Sequence, residues 1–190
     1  MLKKTDALLI VDVQSDFLPG GALAVPDGDA VVPILAILAQ KFAAEGLPVI
    51  ASRDWHPVDH CSFVEQGGPW PPHCVARSEG ATLDPGLELP EDVKIVDKAV
   101  TADKDAYSAF EGTGLADWLR ERGVERVVVG GLATEYCVLN SAADGLRYGF
   151  DVLLVQDAIR AIDDTDGQRA IDSLRDLGAK VGDSGAIING

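Results

Sequence analysis

The stretch Gly130-Gly131-Leu132-Ala133-Thr134-Glu135-Tyr136-Cys137-Val138 sets the class of fold. The apolar run before it, Arg126-Val127-Val128-Val129, reads as a parallel strand buried on both faces. Leu139 to Tyr148, after it, is rich in Ala and Leu and reads as a helix. The glycines give a tight strand-to-helix turn, with Thr134 as its N-cap. Cys137 then falls in the first helical turn, where open N–H groups and the positive dipole end favour a thiolate. The same N–H groups can hold an oxyanion. The competing reading is an inert buried Cys that packs like a small hydrophobe.

The same alternation runs through the rest of the chain. Ala7 to Val11 is a near-continuous apolar run and reads as a central strand, with Asp12 at its C-terminal end. Asp12 can serve a site there, as open α/β sheets keep their sites at strand ends, or it can be a turn residue. No helical pattern follows it. A Gly/Pro-rich loop from Leu18 to Gly28 comes instead, either arched over a pocket with Phe17 and Leu23 or lying plainly on the surface. Asp29 is the expected cap of a helix from about Ala30 to Glu45, ended by Gly46. Leu47 to Ser52 is a second strand. Val93 to Lys98 is a third, less apolar and nearer an edge, ending on Lys98 level with Asp12 and Asp54. Thr113 to Arg122 has the signature of a capped helix, and Asp151 to Asp157 reads as a buried strand. A helix from Asp164 or Thr165 to Leu177 and a short strand at Ala179 to Val181 close the pattern. The expectation is one domain over 1–190. Its sheet is doubly wound, mostly parallel and Rossmann-like, with five or six strands and helices on both faces.

Between the second and third strands lie Arg53-Asp54-Trp55-His56-Pro57-Val58-Asp59-His60-Cys61 and Trp70-Pro71-Pro72-His73-Cys74. All 3 histidines of the chain fall in this segment. Asp54 and His56 are two apart at a strand end, so both project to one side. A carboxylate with two or three imidazoles suits a divalent transition metal such as Zn, Fe or Mn. A rival is a structural zinc site of Cys61, Cys74, His60 and His73, which lacks the short Cys-x-x-Cys spacing.

Composition narrows the partners. A formal net charge of −15 over 190 residues argues against nucleic acid and anionic membranes and leaves a small neutral or cationic molecule as the partner. Nothing in the sequence excludes a homo-oligomer. Cys61, Cys74 and Cys137, an odd count at irregular spacing, suit a reducing compartment rather than a disulfide framework. The run Ala7 to Val11 is too short for a signal-peptide core, and no stretch approaches a membrane span. A cytoplasmic location is therefore expected.

Asp12, Lys98 and Cys137 all fall at C-terminal strand ends, so the expected fold gathers them in one crevice. With the Asp54/His56/His73 set alongside, the chain closely resembles the nicotinamidases of the isochorismatase-like cysteine hydrolases. The resemblance is carried by Val11-Asp12-Val13-Gln14 with Asp16-Phe17, by Ser52-Arg53-Asp54-Trp55-His56-Pro57 and by Trp70-Pro71-Pro72-His73-Cys74-Val75. Lys98 leading to Tyr107-Ser108-Ala109-Phe110, and Gly131 to Val138, complete it. It implies a metal-containing amidase that hydrolyses nicotinamide to nicotinate and ammonia in NAD salvage, with pyrazinamide also accepted. It implies one metal, zinc first and Fe or Mn as alternatives, held near the catalytic Cys and binding the pyridine nitrogen. His60 fits the usual place of a fourth ligand, with Glu65 second. A cis peptide is implied at Leu132-Ala133. Many relatives carry Gly where this chain has Ala99.

The chemistry expected of these residues is nucleophilic. Asp12 takes the Cys137 proton, Lys98 steadies the ion pair, and the N–H groups of Ala133 and Cys137 hold the tetrahedral oxygen. Phe17, Trp70 and Tyr107, with Leu23, are the candidates for gripping a flat ring. Three other readings stand beside this one. They are a related amidase acting on carbamoyl compounds, an ether hydrolase that needs no Cys137, and a non-catalytic metal-binding domain.

Overall fold

A computed structural model describes residues 2–189, so Met1 and Gly190 of the expected 1–190 domain lie outside the described residues. Among those residues six strands form one sheet: Asp6–Val11 (β1), Val49–Asp54 (β2), Lys94–Lys98 (β3), Arg126–Leu132 (β4), Asp151–Arg160 (β5) and Lys180–Gly182 (β6). Every pairing is parallel, in the order β3-β2-β1-β4-β5-β6. The less apolar β3 takes an edge, as its polar residues require.

Alternation along β1 divides the core into two layers. Ala7, Leu9 and Val11 pack with Leu115–Glu121 (α2), Leu139–Arg147 (α3) and Asp164–Asp176 (α4). Leu8 and Ile10 pack with Val32–Ala44 (α1) and Ile187 of Gly185–Ile188 (α5). Helices therefore cover both faces, which is why β1 has all six residues buried.

Three boundaries differ from the sequence reading. The chain enters α1 through a 3₁₀ turn at Gly28–Val31, so Val31 and not Asp29 stands at its cap. β5 continues to Arg160 past the polar Gln156-Asp157, because a register shift between Val129 and Gly131 lets Ile159 and Arg160 pair with β4. The four-residue α5 has too short a pattern to be read from sequence.

Candidate active site

The chain leaves β1 toward β2 and β3 on one side and returns to β4 on the other. The C-terminal ends of β1 and β4 therefore flank the switch point, where an open α/β sheet leaves a crevice. Asp12 follows β1, and the Cys137 turn follows β4. Asp54 and Lys98 end β2 and β3 and are register partners. Strand order and register thus bring together the four charged or nucleophilic groups that the sequence singled out. Gly131 makes the approach of β4 to β1 possible: a Cβ there would lie 2.1 Å from the Val11 carbonyl oxygen.

The turn into α3 is not the capped α-turn expected from Thr134. Residues Thr134–Val138 form a π-turn, and Ala133 occupies the N-cap. The Ala133 carbonyl accepts from the N–H groups of Tyr136 at 3.1 Å and Val138 at 3.2 Å, so the turn's bonding uses this carbonyl. The Leu132–Ala133 peptide is cis, as the resemblance implies. Single π-turns of this kind recur at functional sites.

Lys98 is the centre of the charge cluster. Its ammonium donates to Asp54 Oδ1, to the Ala106 carbonyl at 3.2 Å and to Cys137 Sγ at 3.3 Å. Asp12 Oδ2 lies 2.9 Å from the same nitrogen in a buried ion pair. Asp12 Oδ1 accepts from Ser52 Oγ at 2.7 Å. The carboxylates of Asp12 and Asp54 and the Cys137 sulfur have atoms within 4.8 Å of one another.

Two carboxylates and one ammonium decide the protonation states. Burial raises the Asp12 carboxyl above its ordinary range, and the Lys98 charge offsets only part of this. Burial also works against Asp54, but the Lys98 charge outweighs it and holds that carboxyl low. Burial disfavours the Lys98 ammonium, yet Asp12 and Asp54 hold its pKa well above the usual lysine value. Burial pushes the Cys137 thiol well up, and the pull of Lys98 is opposed by both carboxylates. Burial and the two carboxylates thus favour the neutral Cys137 thiol, against the pull of the dipole and of Lys98. The thiol stands beside a carboxylate able to take its proton.

Asp54, His56 and His73 form the metal-competent group, all buried and with donor atoms within 4.8 Å. Asp54 Oδ2 is 3.6 Å from His56 Nε2 and 4.0 Å from His73 Nε2. His56 Nδ1 faces the Ala99 carbonyl at 3.3 Å, and His73 Nδ1 faces the Pro71 carbonyl at 2.7 Å. A carbonyl only accepts, so each Nδ1 carries the proton and each Nε2 lone pair is turned to the group. Burial keeps His73 neutral by lowering its pKa. The donor set therefore fits a divalent transition metal. Ala99 sits at φ +52°, a left-handed position that explains the glycine expected there and costs Ala roughly 1 kcal/mol.

The two candidates for a fourth ligand lie in different settings. His60 is buried and stacked on His56 with ring centroids 4.1 Å apart, but both its nitrogens face elsewhere. Nδ1 meets Ser62 Oγ at 2.7 Å, and Nε2 meets the Lys104 carbonyl at 3.2 Å. Glu65 is exposed on the short turn Val64–Gln66. The rival four-residue zinc set is not gathered among the described residues: Cys74 Sγ turns to the Gly80 carbonyl and Cys61 is half-exposed.

These groups open onto one pocket of about 430 Å3, counted out to its mouth. Phe17, Leu23, Trp70 and Tyr107, expected from sequence, all line it, together with Asp54, His56, His73 and Cys137. The Leu18 to Gly28 loop thus contributes Leu23 and Val25 to the wall. Trp70 Nε1 donates to the Tyr107 hydroxyl at 3.1 Å, and Tyr136 packs edge-on to Trp70 at 5.1 Å. Tyr136 and Ile162 are wall residues that the sequence reading did not assign. Gln14 was also passed over. It is fully buried, accepts from the Asp54 N–H at 2.8 Å and donates to the Asp54 carbonyl at 2.8 Å, clamping the backbone of a metal ligand. Its place two residues after Asp12 was the available signal.

Similarity to known proteins follows the same lines. Residues 6–186 match the Isochorismatase domain. A nicotinamidase of Escherichia coli is 40% identical over 177 residues, covering 82% of this chain and 83% of its own. A pyrazinamidase of Pyrococcus horikoshii, solved in complex with zinc, superposes with a TM-score of 0.91 at 48% identity. That match covers 94% of this chain and 99% of the other. The protein PnC1 of L. infantum, solved with nicotinate, gives 0.89 at 39% identity over 97% of this chain and 96% of its own. With its sheet order, its cysteine turn and these matches in agreement, the chain belongs to the isochorismatase domain family.

Proposed function

We propose that this chain is a metal-containing cysteine amidase that hydrolyses nicotinamide to nicotinate and ammonia, and accepts pyrazinamide, in NAD salvage. One observation carries the reading. Asp12, Lys98 and Cys137 converge beside the Asp54/His56/His73 group, and Cys137 and that group line a single aromatic-walled pocket. The resemblance to the E. coli nicotinamidase and to the zinc-bound pyrazinamidase supports it.

Asp54, His56 and His73 would hold a divalent ion, zinc by preference, which when bound supplies a Lewis acid for the pyridine nitrogen. The chain's own residues do the rest. The Asp12 carboxylate receives the Cys137 proton as Sγ attacks the amide carbon. Lys98, 3.3 Å from Sγ and 2.9 Å from Asp12, favours the charge as it moves onto sulfur. The N–H groups of Ala133 and Cys137 hold the oxyanion. Protonated Asp12 passes its proton to the leaving nitrogen, which departs as ammonia. Asp12 then takes a proton from water as it attacks the thioester, and Cys137 leaves and is reprotonated. Phe17, Trp70, Tyr107 and Leu23 grip the ring.

A single domain over 1–190 is part of the proposal. A cytoplasmic setting is as well, supported by three free thiols. No helix among the described residues is long and apolar enough to cross a membrane. Ammonia release from nicotinamide, measured with and without a chelator, tests the function. No release from metal-replete protein would overturn it.

A further inference from the structure

Glu135 lies on the turn that carries Cys137, two positions before it. The chemistry above makes no use of it. One oxygen of its carboxylate accepts from two successive N–H groups, Ile162 at 2.8 Å and Asp163 at 2.9 Å. The other oxygen is buried with no partner. Such an oxygen is a standing cost that an apolar side chain would avoid. The charge-assisted grip on two adjacent amides offsets it.

Those amides belong to the loop between β5 and α4. Ile162 lines the pocket and is 38% exposed, so it forms part of the rim. Behind it the loop is already tied to α4. The Asp163 carboxylate accepts from Thr165 N–H at 2.8 Å and Asp166 N–H at 3.0 Å, and its carbonyl accepts from Gly167 N–H at 2.8 Å. A Cβ on Gly167 would stand 2.5 Å from the Ala161 Cβ, so only glycine lets α4 close on the loop. Glu135 ties the front of the same loop to the nucleophile turn.

We infer that Glu135 is a positioning residue that pins the Ile162 rim at a fixed distance from Cys137 and so limits the substrate to amides of a single aromatic ring. This rests on the amidase reading and deepens it. With the rim fixed, a fused second ring must displace Ile162. With the latch cut, the rim can yield.

The test compares nicotinamide with quinoline-3-carboxamide, a bicyclic amide that keeps the ring nitrogen. Wild type, Glu135→Ala, Glu135→Gln and Ile162→Ala are assayed. Glu135→Ala and Ile162→Ala should each raise the bicyclic-to-monocyclic ratio of kcat/KM about tenfold, chiefly through KM. Glu135→Gln keeps an accepting oxygen and should stay within about twofold of wild type. Amide hydrogen exchange gives a readout independent of turnover. The Ile162 and Asp163 amides should exchange at least about tenfold faster in Glu135→Ala and remain protected in Glu135→Gln. Unchanged exchange in Glu135→Ala overturns the latch. An unchanged ratio in Ile162→Ala overturns the rim's role even where Glu135→Ala fails to fold. Equal loss of kcat for both amides at constant KM would place Glu135 in the reacting turn instead. Wild type that hydrolyses neither amide, yet shows Glu135-dependent protection, would sink the amidase reading and leave the latch standing.

Discussion

Asp12→Asn separates two roles that one carboxylate plays at once. In the proposed mechanism Asp12 is the proton acceptor for Cys137, and it is also a negative charge that opposes ionisation of the same thiol. The two effects have opposite signs in the variant. Removing a unit charge within 4.8 Å of the sulfur relieves roughly 3 kcal/mol of repulsion at an effective dielectric near 20. That alone would favour the thiolate about 100-fold. Removing the acceptor costs about 3–5 kcal/mol, the usual worth of positioned proton transfer. The proposed mechanism gives Asp12 the acceptor role, and its carboxylate lies within 4.8 Å of the Cys137 sulfur. The net of the two is a loss of up to about 2 kcal/mol, so the variant should alkylate faster at Cys137 near neutral pH and yet hydrolyse nicotinamide several-fold to about 30-fold more slowly. Alkylation by a neutral reagent and ammonia release over a range of pH measure both quantities. Near-wild-type hydrolysis combined with faster alkylation would refute the acceptor role. The acid limb of wild-type kcat/KM should lie above the ordinary carboxylate range, because burial raises Asp12. The linkage sign is fixed too. A carboxyl raised by folding gives stability that is full below its unfolded pKa and is lost as pH rises through the folded value. The variant lacks that titration, so its stability relative to wild type should improve over that window.

Cys137→Ala should abolish hydrolysis with fold and metal content intact, and Cys137→Ser should be nearly as inactive because a hydroxyl is far harder to ionise. Substantial activity in either variant, or acyl label on Cys74, would displace Cys137 as nucleophile. Protein purified without added metal should carry close to one equivalent by elemental analysis, and full content in an Asp54→Ala, His73→Ala double variant would remove these ligands. Benzamide lacks the ring nitrogen and should be turned over more slowly than nicotinamide by roughly a few kcal/mol of transition-state binding; equal turnover would give the metal a structural role. Gln14→Ala should weaken metal retention about 10–100-fold against a competing chelator, as loss of an outer support does. Unchanged retention would make the Gln14 clamp a packing feature only.

The sheet was legible where burial on both faces forces a continuous apolar run. β1 and Val127-Val128-Val129 are such runs, and the more polar β3 could be placed at an edge for the same reason. Helix entries were less legible. Cap patterns presume an α-helical first turn, whereas Gly28–Val31 and Thr134–Val138 wind as 3₁₀ and π turns without side-chain caps. The polar Gln156-Asp157 stopped the β5 reading early because the register shift that carries the strand past it belongs to the pairing with β4.

The site divides along a similar physical line. Side chains that act by their own chemistry at strand ends, Asp12, Asp54, Lys98 and Cys137, could be named because strand order alone brings them together. Side chains that act through another segment's backbone could not. Gln14 grips Asp54 across 40 positions and Glu135 grips Ile162 across 27, and neither partner can be identified before the pairing is known. The charge balance around the thiol also depends on the fold, which sets two carboxylates against the single Lys98 ammonium. Burial and this balance favour the proton on sulfur. The metal, when bound beside Asp54, adds positive charge to the same cluster. Loading it should therefore make Cys137 alkylate faster, an effect absent when Asp54 is replaced by Asn. A metal-independent alkylation rate would show that the two halves of the pocket do not share one electrostatic field.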